Sequence, residues 1–297
     1  MKYFISVVLL IIGSIPASSQ KKYVVIDLNK PETNEVVLGK GSVNFPLARI
    51  YLYNKWLRVK NETYLITASI LPDISTGQIK WDSLSAIPQQ YEIVDIDQIA
   101  IKSITHYFDN CKKISFDDNY PLKTTEYTVI IKKRNNYLIA SSNPCLFEFY
   151  KYSIANPFAL EDYDYISLYP NGTPYSLADI SKIQYYLYSN FKGDIHYLGK
   201  VLPYGKANIV YDKEEFSFWI TQPPAFDIGW QYFGIEEFKL IPQIGIIAGS
   251  FKQYLRGGTG SIVNPKRSHF ERNTNLFTAI SINGIPFKEF LNNMDKH

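Results

Sequence analysis

Between residues 47 and 68 the chain alternates side chains with period two, the spacing of a pleated strand rather than of a helix. Arg49, Tyr51 and Tyr53 interleave with Ile50 and Leu52. Trp56, Arg58 and Lys60 interleave with Leu57 and Val59, and Thr63, Leu65 and Thr67 with Tyr64 and Ile66. Asn54-Lys55 and Asn61-Glu62 separate the three runs, and Asn suits tight turns. The expectation is an antiparallel meander with one buried face and one wetter face.

The same grammar recurs along the chain. Residues 127–132 and 137–140 are joined through Arg134-Asn135-Asn136, and residues 208–211 and 216–221 through 212–215. Ala279-Ile280-Ser281-Ile282 runs into Asn283-Gly284, a pair that adopts the two positive-φ positions of a type I′ turn at low cost. The expected fold class is therefore mainly β, or α+β: antiparallel hairpins and meanders in a sandwich-like arrangement, with one or two short packing helices. One helix is expected over 176–190, opened by Ser176 and carrying Ile180, Ile183, Tyr186 and Leu187 on one stripe. The other is expected over 287–293, with Pro286 at its start, where a missing N–H costs little. No fixed-period repeat supports a solenoid or propeller. Turn residues Pro170, Asn171, Gly172 and Pro174 mark 156–174 as the place where the β-rich region would divide, if it divides at all.

The N-terminus reads as an export signal. Lys2 supplies the charge, residues 4–12 form an apolar stretch too short to span a bilayer, and Pro16 breaks it. Ala17 and Ser19 place small residues for cleavage between Ser19 and Gln20, so residues 1–19 are expected to be a signal peptide and 20–297 the mature region. An uncleaved N-terminal membrane anchor is the alternative. The remaining chain carries no stretch long and apolar enough to span, because Pro242, Gln243, Gly245 and Gly249 interrupt 240–251. The destination is the periplasm, the cell surface or the extracellular space.

Export changes how the two cysteines are read. In an oxidising compartment Cys111 and Cys145 are candidates for a disulfide, and their spacing matches neither a CxxC motif nor a zinc ribbon. Two buried thiols are the alternative. Asn61-Glu62-Thr63 and Asn171-Gly172-Thr173 match the N-glycosylation acceptor. Asp82-Ser83-Leu84 matches the Asp-Ser/Thr-aliphatic triplet to which some Gram-negative bacteria attach O-linked glycans. By themselves these short matches carry no functional argument.

Charge excludes one class of partner: 31 basic against 28 acidic residues leave +3, far from the concentrated basic field that nucleic-acid binding requires. The chain has no HExxH, GxSxG, Walker-A or GxGxxG motif, and no metal site or cofactor is expected. Of the four histidines, His106 precedes Cys111 in a stretch that would suit a Cys/His hydrolase only with the thiol reduced. Arg256-Gly257-Gly258-Thr259-Gly260-Ser261 frees backbone N–H groups to converge on an anion, with Arg256 beside them; an ordinary glycine loop between strands is the plainer account. Glu161-Asp162-Tyr163-Asp164 and Asp117-Asp118-Asn119 offer oxygen ligands, but too few by themselves for calcium.

The positive bias is aromatic: 24 Tyr, 18 Phe and 4 Trp. Such rings pack across strands, and in an exported β protein they also pave grooves that stack on sugar faces. Trp56, Trp81, Trp230 and Tyr232, with Arg256, are the candidate ligand-binding residues. The expected function is an exported binding protein whose partner is a glycan or another surface macromolecule. The alternative is a secreted hydrolase with an acid/base site assembled from distant Asp, Glu and His residues; a structural component of the cell envelope is the third reading.

Overall fold

In the computed structural model the described residues are 22–39, 48–59, 61–73, 76–87, 89, 92–97, 127–143, 145–153, 165–167, 201–203, 207–220, 235, 237–251 and 276–294. They form a mainly β protein with two sheets and one short helix. The smaller sheet contains β1 (Lys22–Asp27), β5 (Asp82–Leu84), β6 (Glu92–Asp95), β7 (Tyr127–Lys133) and β8 (Asn136–Ile139), in the order β5-β8-β7-β1-β6. The larger sheet contains β2 (Thr33–Gly39), β3 (Arg49–Val59), β4 (Glu62–Ile70), β9 (Cys145–Ser153), β10 (Tyr165–Ser167), β11 (Val201–Pro203), β12 (Asn208–Val210), β13 (Lys213–Ile220), β14 (Glu237–Ile241), β15 (Gly245–Ser250), β16 (Phe277–Ile282) and β17 (Ile285–Pro286). Its main path runs β10-β9-β4-β3-β2-β16-β15-β14-β13-β11. The two end strands, β10 and β11, lie against each other, so the sheet curls round toward a barrel.

Most pairings are antiparallel, but β1 runs parallel to both β6 and β7, and β9 parallel to β10. A parallel partner cannot be reached through a tight turn. The chain solves this by alternating between sheets: β1 below, β2–β4 above, β5–β8 below, and β9 onward above. Residues on both sides of 156–174 therefore share one large sheet and one core, with β2 paired to β16.

The register explains why β3 and β4 are apolar on both faces. Ile50, Leu52 and Leu65 point into the curled sheet, where they meet Val36, Leu38, Phe216, Phe218, Phe238, Leu240, Ile246 and Phe277. Tyr53, Tyr64, Ile66, Ala68 and Ile70 point the other way and pack against Val24, Ile26, Val129 and Ile131 of the smaller sheet. The expected wetter face is thus covered, because a second sheet docks on it. Each fully buried aliphatic side chain here contributes about 1.5–3 kcal/mol through the water it sheds.

Local expectations met mixed outcomes. Residues 54–55 are not a turn: β3 is one strand of eleven residues, and Asn54 and Lys55 are both buried within it. The next reversal is real and joins β3 to β4, since Val59 pairs with Glu62. Arg134-Asn135 joins β7 to β8, and Tyr211-Asp212 joins β12 to β13 with both residues at positive φ. Asn283-Gly284 turns β16 into β17 with φ of 52° and 81°. Helix α1 (Phe287–Asn293) follows Pro286, as its sequence signals, and buries Leu291. The expected helix over 176–190 lies outside the described residues.

Candidate functional site

Three rows of side chains cross β3, β4 and β9 on the face that looks into the curled sheet. The register aligns Asn54 with Thr67 and Glu148, then Trp56 with Leu65 and Tyr150, and finally Arg58 with Thr63 and Tyr152. Moving along the rows, burial relaxes. Asn54, Leu65 and Tyr150 are buried, Trp56 and Tyr152 are half-buried, and Arg58 is exposed. The last row, together with Trp56 from the row before it, thus forms a rim at one end of the curled sheet that carries the Trp56 and Tyr152 rings, the Arg58 guanidinium and the Thr63 hydroxyl.

Trp56 is held from three directions. Its backbone N–H donates to the Glu32 carbonyl at 3.1 Å, and its indole N–H donates to the Gln243 carbonyl at 3.0 Å. The Tyr152 ring meets it edge-on, with centroids 5.0 Å apart and planes at 74°. Edge-to-face contact is a favoured arrangement of aromatic quadrupoles. Burial raises the Tyr152 phenol above its ordinary value, so it stays protonated and able to donate at neutral pH.

Beneath the rim the β14–β15 turn is gripped by asparagines. Asn34 Nδ2 donates to the carbonyls of Gln243 and Ile244, each at 3.2 Å, and Asn54 Nδ2 donates to the Ile246 carbonyl at 2.8 Å. Thr67 Oγ1 donates to Asn54 Oδ1 at 3.3 Å, and Asn283 Nδ2 donates to Asn34 Oδ1 at 3.1 Å. Buried carbonyls left unpaired are costly, so this network both closes the turn and fixes the platform below Trp56.

The other named residues fall elsewhere. Trp81 is half-buried against the second core, edge-on to Tyr51 with centroids 5.2 Å apart. Trp56 and Trp81 therefore stand on opposite faces of β3 and do not line one groove. Trp230, Tyr232, Arg256 and the rest of the 256–261 glycine loop lie outside the described residues, as do the acidic segments 117–119 and 161–164. All four histidines lie outside them too. Cys145 is a free, buried thiol whose pKa burial pushes up; Cys111, its expected partner, lies outside the described residues.

Three charged groups that are buried among the described residues, Glu35, Lys55 and Glu215, are tied into the framework. Glu35 accepts from Lys133 Nζ at 2.8 Å and from the Tyr53 hydroxyl at 3.4 Å, joining the two sheets. Lys55 pairs with Asp97, and Lys239 with Glu215. Among the described residues no group of His, Cys, Asp and Glu converges to hold a metal ion. Nor is any helix there long and apolar enough to cross a membrane. The rim is suited to holding a ligand by stacking and hydrogen bonding. Arg58 and Tyr152 were not among the residues the sequence singled out: Arg58 was visible only as part of the alternation, and Tyr152 joins it through a long-range pairing that has no local signal.

No protein-family model, curated protein or solved structure matches the chain.

Proposed function

We propose that the chain is an exported binding protein that recognises a glycan at the surface or in the periplasm of its cell, with the rim of Trp56, Tyr152, Arg58 and Thr63 as its contact. The observation that supports this reading is the fixed Trp56–Tyr152 pair, half-buried beside an exposed arginine. A sugar ring offers an apolar face and a hydroxyl edge. Preformed rings with adjacent donors match both while little side-chain freedom is lost on binding. The first nineteen residues supply the export signal, and Trp230, Tyr232 and Arg256 remain further candidates for the same ligand.

The test is binding of the mature chain to a panel of neutral and acidic oligosaccharides, followed by titration of the best one. Tyr152→Ala and Arg58→Ala should each weaken binding about tenfold or more, equivalent to roughly 1.4 kcal/mol or more. Their circular dichroism should remain that of the parent. Undiminished affinity in both variants would remove the rim as the contact. Trp230→Ala, measured in the same way, decides whether that ring participates. A panel without any bound member would overturn the glycan reading itself.

A further inference from the structure

Strand β5 (Asp82–Leu84) is three residues long and, among the described residues, pairs only with β8, at the edge of the smaller sheet. Its central residue, Ser83, is exposed, and the residues that follow at 85 and 86 are exposed as well. Among the described residues the Ser83 hydroxyl has no hydrogen-bond partner. Its neighbour is placed: Asp82 Oδ2 accepts from the Ser141 hydroxyl at 3.4 Å.

Ser83 also stands on the wall of a half-open hollow of about 380 Å³, whose other walls are Leu84, Leu138, Asn136, Lys133 and Arg134. The hollow combines two leucines with the Asn136 amide, Arg134 and Lys133, whose ammonium is already engaged by Glu35, and this pairing of apolar surface with polar groups suits a pyranose ring. Arg134 is presented by a restrained turn. It sits at φ 55°, and Asn29 holds its peptide from both sides, accepting from the Arg134 N–H at 2.9 Å and donating to its carbonyl at 3.4 Å.

We propose that Ser83 is the attachment point of an O-linked glycan whose first sugar lies in this hollow. Two independent observations meet at one residue: the Asp82-Ser83-Leu84 acceptor triplet and an exposed hydroxyl, unengaged among the described residues, beside a sugar-sized concavity. The donor is a glycosyl group carried on a phosphate or diphosphate, delivered by a separate glycosyltransferase. Ser83 Oγ forms a bond to the anomeric carbon as the bond from that carbon to the phosphate oxygen breaks. The electron pair leaves with the phosphate, and the hydroxyl proton passes to a base of the transferase. A glycan here also shields the edge of β5, which is unpaired among the described residues, from pairing with another chain, a need that every exposed sheet edge creates.

The inference rests on export, which is part of the proposed function, and one measurement separates the two. The chain is recovered from the organism that encodes it, and its intact mass is determined, followed by fragmentation that retains side-chain modifications. The expected result is a chain cleaved after Ser19 carrying added sugar masses located on Ser83. That addition should be lost in Ser83→Ala and retained in Ser83→Thr, with both variants melting at the parent temperature. A cleaved chain with the bare polypeptide mass would overturn glycosylation while leaving export standing. An uncleaved chain with no added mass would overturn both, and sugar that persists in Ser83→Ala would place the attachment elsewhere.

Discussion

Gly245 sits at φ +102°, and a Cβ there would lie 2.6 Å from Asn54 Cγ. Both facts demand glycine, one through backbone sterics and the other through the close approach of β15 to β3. Gly245→Ala should destabilise the fold by about 2–4 kcal/mol, read as a lowered urea midpoint with little change in slope. Residue chemistry also sets an alkaline limit. Burial pushes the Tyr53 phenol well above its ordinary value, with neighbouring Glu35 adding to the rise, and burial does the same to the Cys145 thiol. In the unfolded chain these groups ionise near pH ~10 and ~8.5, so above those values the unfolded state binds fewer protons than the folded one. Their contribution is fully present at neutral pH and falls as pH rises from about 8.5. Urea midpoints measured from pH 7 to 11 should decline, and the decline should flatten in the Tyr53→Phe, Cys145→Ala double variant. Asn54 marks the limit of reading residues singly. Its type signals a turn, yet inside β3 its amide finds the Ile246 carbonyl, a partner nearly two hundred positions away.

Turns decide the elements, and they were legible where the backbone demand is local. Asn283 and Gly284 both occupy left-handed backbone, and the dipeptide announces this. Gly284→Ala, at φ 81°, should cost about 1–2 kcal/mol in thermal or urea unfolding. At the β7–β8 turn the left-handed position is held by Arg134, a residue that tolerates it poorly. Arg134→Asn should stabilise by about 0.5 kcal/mol, since Asn visits that region more readily and the clasp by Asn29 uses only the backbone. A fall in stability instead would assign the arginine side chain a structural contact. The β14–β15 hairpin gave no such advance signal. Its loop, residues 242–244, looks like an interruption in an apolar run, and Gln243 is held at φ 70° by contacts from β2 and β3.

At the scale of the whole molecule, the two sheets share β3 and β4 as a common wall. Ile66 is fully buried where that wall meets the smaller sheet, and Phe238 is fully buried inside the curled sheet. Ile66→Ala should cost about 2–5 kcal/mol and Phe238→Ala about 3–5. Because both cores lean on the same strands, Ile66→Ala should speed hydrogen exchange of the slowest amides in β7 and in β3 alike. Loss of protection in β7 alone would mean that the smaller sheet opens independently. The alternation over 47–68, the Asn-Gly turn and the proline before α1 determined strand periodicity and several reversals, because each is a demand that neighbouring residues place on the backbone. Tertiary structure alone decided the parallel pairing of β1, the second buried face of β3 and β4, the conversion of Asn54 from turn residue to interior clasp, and the meeting of Trp56 with Tyr152 at the rim. Each of these depends on contacts between distant segments, whose energies are set by register and by the docking of one sheet on another, and no local pattern encodes them.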